Sequence, residues 1–93
     1  MIEAWVTITN RLGLHARAAA KLVRLAEGFA SSVHLHREDG SATADAKSIL
    51  GVLLLAASKS GTRLRVVAAG TDEAAALEAV TSIFADGFGE NVG

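Results

Sequence analysis

Residues 2–23 read IEAWVTITNRLGLHARAAAKLV, and within this stretch the spacing of the apolar side chains changes from that of a strand to that of a helix. From Ile2 to Thr9, the residues alternate with a period of two, which is typical of a strand with one buried face. From Ala16 the apolar residues recur at helical spacing, and Gly28 offers a stop. The stretch therefore predicts a strand over residues 2–9 followed by a helix that begins near Ala16.

A pair of strands is predicted on either side of the Asp39-Gly40 dipeptide, which is a strong hairpin turn signal. Val33 and Leu35 alternate with polar neighbours before the turn, and a second strand is expected over residues 41–45. The two segments are expected to pair in antiparallel fashion.

Two helices and one strand complete the predicted order. The apolar run over residues 49–57 fits either a buried strand or a short helix, and its leucine and alanine content favours the helix. Alternation over residues 63–68 predicts a fourth strand. Thr71 is expected to cap a final helix that Gly87 closes. The order β-α-β-β-α-β-α indicates an α+β, open-faced sandwich in a single domain that spans residues 1–93.

Composition and charge exclude several classes of protein. A hydrophobic share of 51% with a net charge of −1 is typical of a globular protein. The chain lacks the excess of basic residues that binding to a nucleic acid requires, so no nucleic-acid partner is expected. The absence of cysteine excludes disulfides, thiolate metal sites and cysteine nucleophiles. The first residues do not resemble a signal peptide, and no apolar run approaches the ~20 residues that span a bilayer. We therefore expect a cytoplasmic protein with no membrane partner.

His15 is predicted to lie at the N-cap of the first helix, where the backbone amides of the first turn have no intrahelical partner. These N–H groups and the helix dipole form an anion site, and Arg17 is close enough in sequence to bond phosphate oxygens. Aspartate would also cap the helix, but it would repel phosphate. The dipole disfavours the imidazolium form, so His15 is expected to remain neutral and to keep a lone pair for nucleophilic attack. A lone histidine near a helix start also fits an ordinary exposed polar position, and the spacing leaves both interpretations open.

Three long segments carry a family resemblance that extends over nearly the whole chain. The segments NRLGLHARAAAKLV, DAKSILGVLLLAASKSGTRLRV and FADGFGE resemble, in this order and spacing, the HPr family of histidine-containing phosphocarriers in the bacterial phosphoenolpyruvate phosphotransferase system. The resemblance implies a four-stranded antiparallel sheet with three helices on one face. It also implies that enzyme I phosphorylates His15 on Nδ1, that Arg17 stabilises the phosphoryl group, and that an EIIA-type domain receives it. The protein would be a carrier without a cofactor, not an enzyme. Ala18 departs from the proline that the family often has after the arginine, and a small change at the start of the helix is expected.

The resemblance also implies a regulatory site at Ser48, which corresponds to the serine that an HPr kinase/phosphorylase modifies in many relatives. A phosphate there would lie at a helix start and would add roughly −1.5 to −2 charges. Alternatively, Ser48 is simply an N-cap.

An apolar segment after Ser48 is the expected docking surface for partner proteins. It is too uniformly apolar to bury every side, although at least one of the three residues proposed from it is expected in the core. The first helix would add positively charged positions that suit acidic partners. The predicted partner-binding residues are Ala20, Lys21, Arg24, Ile49, Leu50 and Leu53.

Two other functional interpretations remain. One is an HPr-like regulatory binding protein that is gated by phosphorylation of Ser48, with His15 idle. The other is a small ligand-binding domain without phosphate chemistry, which a buried His15 beside a pocket would favour. His34 and His36 share a strand face, but no third ligand is evident and no metal site is expected. Within the carrier class, a sugar-uptake route and a nitrogen-type regulatory route both remain open, and a monomer is expected.

Overall fold

The computed structural model describes residues 1–55 and 61–90. Its elements follow the predicted order and confirm the α+β class. They are β1 Ile2–Thr7, α1 Ala16–Glu27, β2 Ser32–Arg37, β3 Thr43–Asp45, α2 Ile49–Leu55, β4 Arg63–Ala69 and α3 Glu73–Ala85, with a short 3-10 turn at Gly87–Gly89.

The four strands form one antiparallel sheet in the order β1-β4-β2-β3. Val66 of β4 lies opposite Ala4 of β1 on one side and Leu35 of β2 on the other, and Leu35 also lies opposite Ala44 of β3. Alternate residues of each strand therefore line one face, which the three helices cover. The opposite face carries the polar residues of the same strands.

The core lies between this covered face and the helices. Fully buried leucine, valine, isoleucine and phenylalanine side chains fill it, and α1 contributes small residues that let it pack closely against α2 and α3. The largest buried side chains are Ile8, Leu14, Leu22, Leu35, Leu55, Leu64, Phe84 and Phe88. No helix within the described parts of the chain is long and apolar enough to cross a membrane.

Four predicted boundaries are wrong. The first strand ends at Thr7, although the amide of Ile8 still donates to the Thr62 carbonyl at 2.9 Å, and β3 is shorter than residues 41–45. The last helix is preceded by Asp72 rather than by Thr71, and it ends at Ala85, before Gly87. The Asp72 carboxylate does not cap its own helix; it accepts hydrogen bonds from the backbone of the loop that leads into β2.

The apolar run after Ser48 forms a helix, as its composition favours, over Ile49–Leu55. Residues 56–57 of the predicted run lie outside the described residues.

Candidate functional site

His15 is the N-cap residue of α1, as predicted. Its backbone is extended, with φ −70° and ψ 177°, and its carbonyl accepts from the amide of Ala19 at 2.8 Å. Nδ1 of the ring is the capping acceptor, in place of the side-chain oxygen of a serine or aspartate, because it accepts a hydrogen bond from the Arg17 amide at 3.3 Å. The imidazole therefore caps the helix and keeps a nucleophilic nitrogen at the positive end of the helix dipole.

The loop before His15 is held by Asn10, which is buried. The side-chain amide of Asn10 donates to the Gly13 carbonyl at 2.6 Å, and the Gly13 amide donates to the Asn10 carbonyl at 3.1 Å. Gly13 has φ 66°, a value that L side chains rarely adopt, and Leu14 is fully buried beside it. These contacts fix the chain just before the histidine.

Glu90 contacts the other nitrogen of the ring, a contact that the sequence analysis missed. Its Oε2 lies 2.5 Å from His15 Nε2, and its Oε1 accepts from Asn10 Nδ2 at 3.1 Å. The hydrogen bond from Asn10, followed by that from His15, holds the pKa of the Glu90 carboxyl below its usual range. At neutral pH the residue is therefore a carboxylate directed at Nε2.

Residues 86–90 form a segment, here called the C-terminal strap, that brings Glu90 to the ring. Phe88 anchors the strap, because its side chain is buried and packs edge-to-face against Phe84 with ring centroids 5.0 Å apart. Lys21 Nζ of α1 donates to the Phe88 carbonyl at 2.6 Å. The sequence offered a signal in the FADGFGE segment, but the 75-residue separation between His15 and Glu90 hid the pairing.

An open cavity of about 660 Å³ adjoins His15. Arg17 is exposed at its wall, and the His15 side chain retains 27% of its accessible surface. The cavity thus brings together the His15 ring, two cationic side chains, the Glu90 carboxylate and the first residues of α1. The two cations and the helix N-terminus suit a phosphoryl group. Its lining residues are Leu12, His15, Ala16, Arg17, Lys21, Gly89 and Glu90.

Ser48 caps α2. Its Oγ accepts from the Gly51 amide at 3.0 Å, and its carbonyl accepts from the Val52 amide at 2.9 Å. The hydroxyl is half-buried and lies at the start of a helix whose next two residues, Ile49 and Leu50, are exposed. The capping role predicted as the simple alternative is therefore present.

The exposed side of α2 is apolar. Ile49, Leu50 and Leu53 are 43%, 65% and 38% exposed, so the expectation that at least one of them belongs to the core is wrong. Val52 and Leu55 fill the core instead. Leu54, at 73% exposure, was missed by the sequence analysis. These four exposed residues, Ile49, Leu50, Leu53 and Leu54, are here called the α2 apolar face.

On α1, the predicted partner residues lie on the outer side of the helix. Ala20 and Lys21 are half-buried and Arg24 is exposed. Helix α1 packs directly against α2, which places these residues on the element next to the α2 apolar face.

The chain is similar to known proteins over nearly its whole length. A family model described as "PTS HPr component phosphorylation site" matches residues 2–86. The Phosphocarrier protein HPr of Xylella fastidiosa (strain Temecula1) is 46% identical over 91 residues, which cover 98% of this chain and 99% of that protein. The Phosphocarrier protein NPr of Escherichia coli (strain K12) is 41% identical over 90 residues, which cover 97% of this chain and 98% of that protein.

The chain belongs to the HPr family. Relatives in this family are named phosphocarriers, so the chain is a phosphoryl carrier of the bacterial phosphotransferase system and not an autonomous catalyst. The crystal structure of HPr-C-His from Thermoanaerobacter tengcongensis superimposes with a TM-score of 0.90 at 34% identity and covers 99% of this chain and 100% of that one. The similarity confirms the predicted HPr fold.

The other two histidines of this HPr-family chain are not among the residues that line the cavity. His34 and His36 are half-buried on β2, on the sheet face that the helices leave open. Burial, followed by the charge of Arg65, lowers the pKa of His36 below its usual value. Within residues 1–55 and 61–90, no group of three or more histidine and carboxylate side chains is placed to hold a metal ion. Trp5, on the same open face, packs under the Arg63 guanidinium, which lies 4.7 Å from its ring centroid.

Proposed function

We propose that His15 accepts a phosphoryl group from enzyme I on Nδ1 and passes it to an EIIA-type domain. The observation that carries the proposal is that Nδ1 accepts from the Arg17 amide at the N-terminus of α1, beside an open cavity whose lining includes Arg17 and Lys21. A ring nitrogen that accepts a hydrogen bond carries a lone pair and no proton. Nδ1 is therefore the nitrogen that can attack phosphorus. Arg17 supplies charge-assisted hydrogen bonds to the phosphoryl oxygens.

The partner surface proposed for this transfer joins the cavity to the α2 apolar face. Leu12, which is 65% exposed, lines the cavity beside His15 and is a further apolar contact. An apolar centre with Lys21 and Arg24 nearby suits a partner that has an apolar patch and acidic residues around it. Such a surface supports the short-lived encounters that a carrier must make with both donor and acceptor. We propose a monomer that acts in the cytoplasm, without nucleic-acid or membrane partners.

Regulation at Ser48 is proposed as a second level of control. An HPr kinase/phosphorylase would place a phosphate of roughly −1.5 to −2 charges at the start of α2, directly beside Ile49 and Leu50. The added charge would weaken docking of acidic partners and would leave His15 itself untouched. A Ser48→Asp variant is therefore expected to be a poorer substrate of enzyme I than Ser48→Ala, through a higher KM and not a lower kcat.

The test of the carrier role is phosphorylation of the purified protein by phosphoenolpyruvate and enzyme I, followed by onward transfer to a purified EIIA domain. His15→Ala is expected to accept no phosphate. The double variant His34→Ala/His36→Ala is the matched control and is expected to accept phosphate at the normal rate. Phosphorylation of His15→Ala, or none of the wild type by an enzyme I active on another carrier, would reject the proposal and leave Ser48-gated binding as the function to test. Comparing transfer to sugar-type and nitrogen-type EIIA domains identifies the route.

A further inference from the structure

We propose that Glu90 is a positioning residue for phosphoryl transfer: its carboxylate holds the ring proton of His15 on Nε2, so that the lone pair of Nδ1 stays directed at the N-terminus of α1. This inference rests on the proposed role of His15 as phosphoryl acceptor. Glu90 lies beyond residues 2–86, the part of the chain that the family model matches.

The two contacts of the ring determine which nitrogen carries the proton. Nδ1 accepts from the Arg17 amide, which requires an unprotonated nitrogen. A carboxylate can only accept, so Nε2, 2.5 Å from Glu90 Oε2, must be the donor. Both contacts select the same tautomer and together fix the orientation of the ring.

The carboxylate is itself held in place. Asn10 donates to Glu90 Oε1 with the same side-chain amide that bonds the loop before His15, so a single buried residue ties the loop and the carboxylate together. The Glu90 side chain is only 11% exposed, which limits competition from water for Nε2. Charge-assisted hydrogen bonds of this kind are roughly twice as strong as neutral ones.

Three consecutive residues of the strap have a left-handed backbone, just before Glu90. Phe88 has φ 59°, a left-handed conformation that costs a bulky residue energy, and it is flanked by Gly87 at φ 61° and Gly89 at φ 73°. Such a conformation persists where surrounding contacts determine it. The buried Phe88 ring and the hydrogen bond from Lys21 to the Phe88 carbonyl supply those contacts.

The chemical step is balanced without any proton transfer. The Arg17 amide releases the Nδ1 lone pair, which attacks phosphorus; the new N–P bond forms, and the bond from phosphorus to the donor atom of enzyme I breaks, with its electron pair returning to that donor atom. The proton on Nε2 stays where it is, and the His15 ring gains positive charge. Glu90 lies against the nitrogen that shares this charge and stabilises it, and the same arrangement serves the reverse step when EIIA removes the phosphoryl group.

The test compares the wild type, Glu90→Ala and a matched control, Glu78→Ala, which removes an equal charge from an exposed position of α3 outside the cavity lining. NMR of histidine labelled with ¹⁵N reports the ring proton. We expect a protected Nε2–H signal for His15 in the wild type and in the control, and rapid exchange of this proton with solvent in Glu90→Ala.

Kinetics with enzyme I provide the second measurement. We expect kcat for phosphorylation of Glu90→Ala to fall about tenfold, the lower end of the cost of losing a hydrogen bond to a charged group. KM is expected to change much less, because Leu12 and the α2 apolar face are intact. Glu90→Gln, which keeps the length of the side chain, is expected to lose part of the rate because it lacks the charge.

A wild-type kcat for Glu90→Ala, with the wild type itself phosphorylated on His15, would overturn the inference and leave the carrier function standing. A wild type that enzyme I does not phosphorylate would instead reject the carrier function. The two failures are therefore distinguishable.

Discussion

Replacing Phe88 with alanine tests whether the C-terminal strap is a packed part of the fold. Phe88 is only 1% exposed, and its ring packs edge-to-face against Phe84, with the ring centroids 5.0 Å apart. Truncation of a buried phenylalanine costs about 3–5 kcal/mol, of which about 0.5–1.5 kcal/mol belongs to the aromatic pair. Alanine keeps the left-handed backbone strain, so no compensating gain arises. We expect a loss of about 3 kcal/mol, the lower end of this range, because the surrounding side chains can partly collapse into the space that the ring leaves.

The assay is urea unfolding of the purified protein, with Phe29→Ala as the control. Phe29 packs against the core from a half-buried position, so its truncation is expected to cost clearly less. In a protein of this size, a loss of 3 kcal/mol lowers Tm by about 12–24 °C. Phe88→Ala should also expose the Nε2 proton of His15, because the strap carries Glu90. A stability loss no greater than that of Phe29→Ala would refute the reasoning.

Three further predictions follow from other contacts. Gly70→Ala should destabilise the protein by at least about 1–3 kcal/mol in urea unfolding, because a Cβ at φ 148° would lie 2.7 Å from the Cα of Ser31. Hydrogen bonds from Ser31 and from the Ala30 amide lower the pKa of Asp72 in the folded protein. The Asp72 carboxylate therefore stabilises the fold above the pKa of the unfolded state, about 4, and this stabilisation is lost as the pH falls through the lower pKa of the folded state. Asp72→Asn should therefore lower Tm at neutral pH and weaken the fall of Tm with decreasing pH. A dependence of Tm on pH equal to that of the wild type would contradict this. Leu54→Ser should change stability by less than about 0.5 kcal/mol yet weaken enzyme I binding several-fold in calorimetry; normal binding would remove Leu54 from the partner surface.

The fold was largely predictable because its elements are amphipathic. A period of two in β1, β2 and β4 and helical spacing in α1 each show directly which side is buried. Helix boundaries were less predictable, since they depend on tertiary contacts. Thr71 has the side chain of a typical cap, but Asp72 precedes α3 and bonds to the loop at Ala30 and Ser31 across the molecule.

His15 and Arg17 of the candidate site were predictable from the sequence. The capping geometry of His15 follows from its place before an alanine-rich helix, and Arg17 lines the same cavity because it is two residues away. Glu90 was not visible, because its approach to the ring depends on the path of the strap and on the burial of Phe88. The exposure of all three predicted residues on α2 was also not visible, because a helix that is apolar on every side carries no periodic signal for its buried face.

The most direct measurement of the central claim is phosphorus NMR of the protein, labelled with ¹⁵N in histidine, after incubation with phosphoenolpyruvate and enzyme I. The account predicts one acid-labile, base-stable signal whose phosphorus couples to Nδ1 of His15, and no such signal in His15→Ala. Coupling to Nε2, or to the ring of His34 or His36, would contradict the account, as would the absence of any signal when the same enzyme I phosphorylates another carrier.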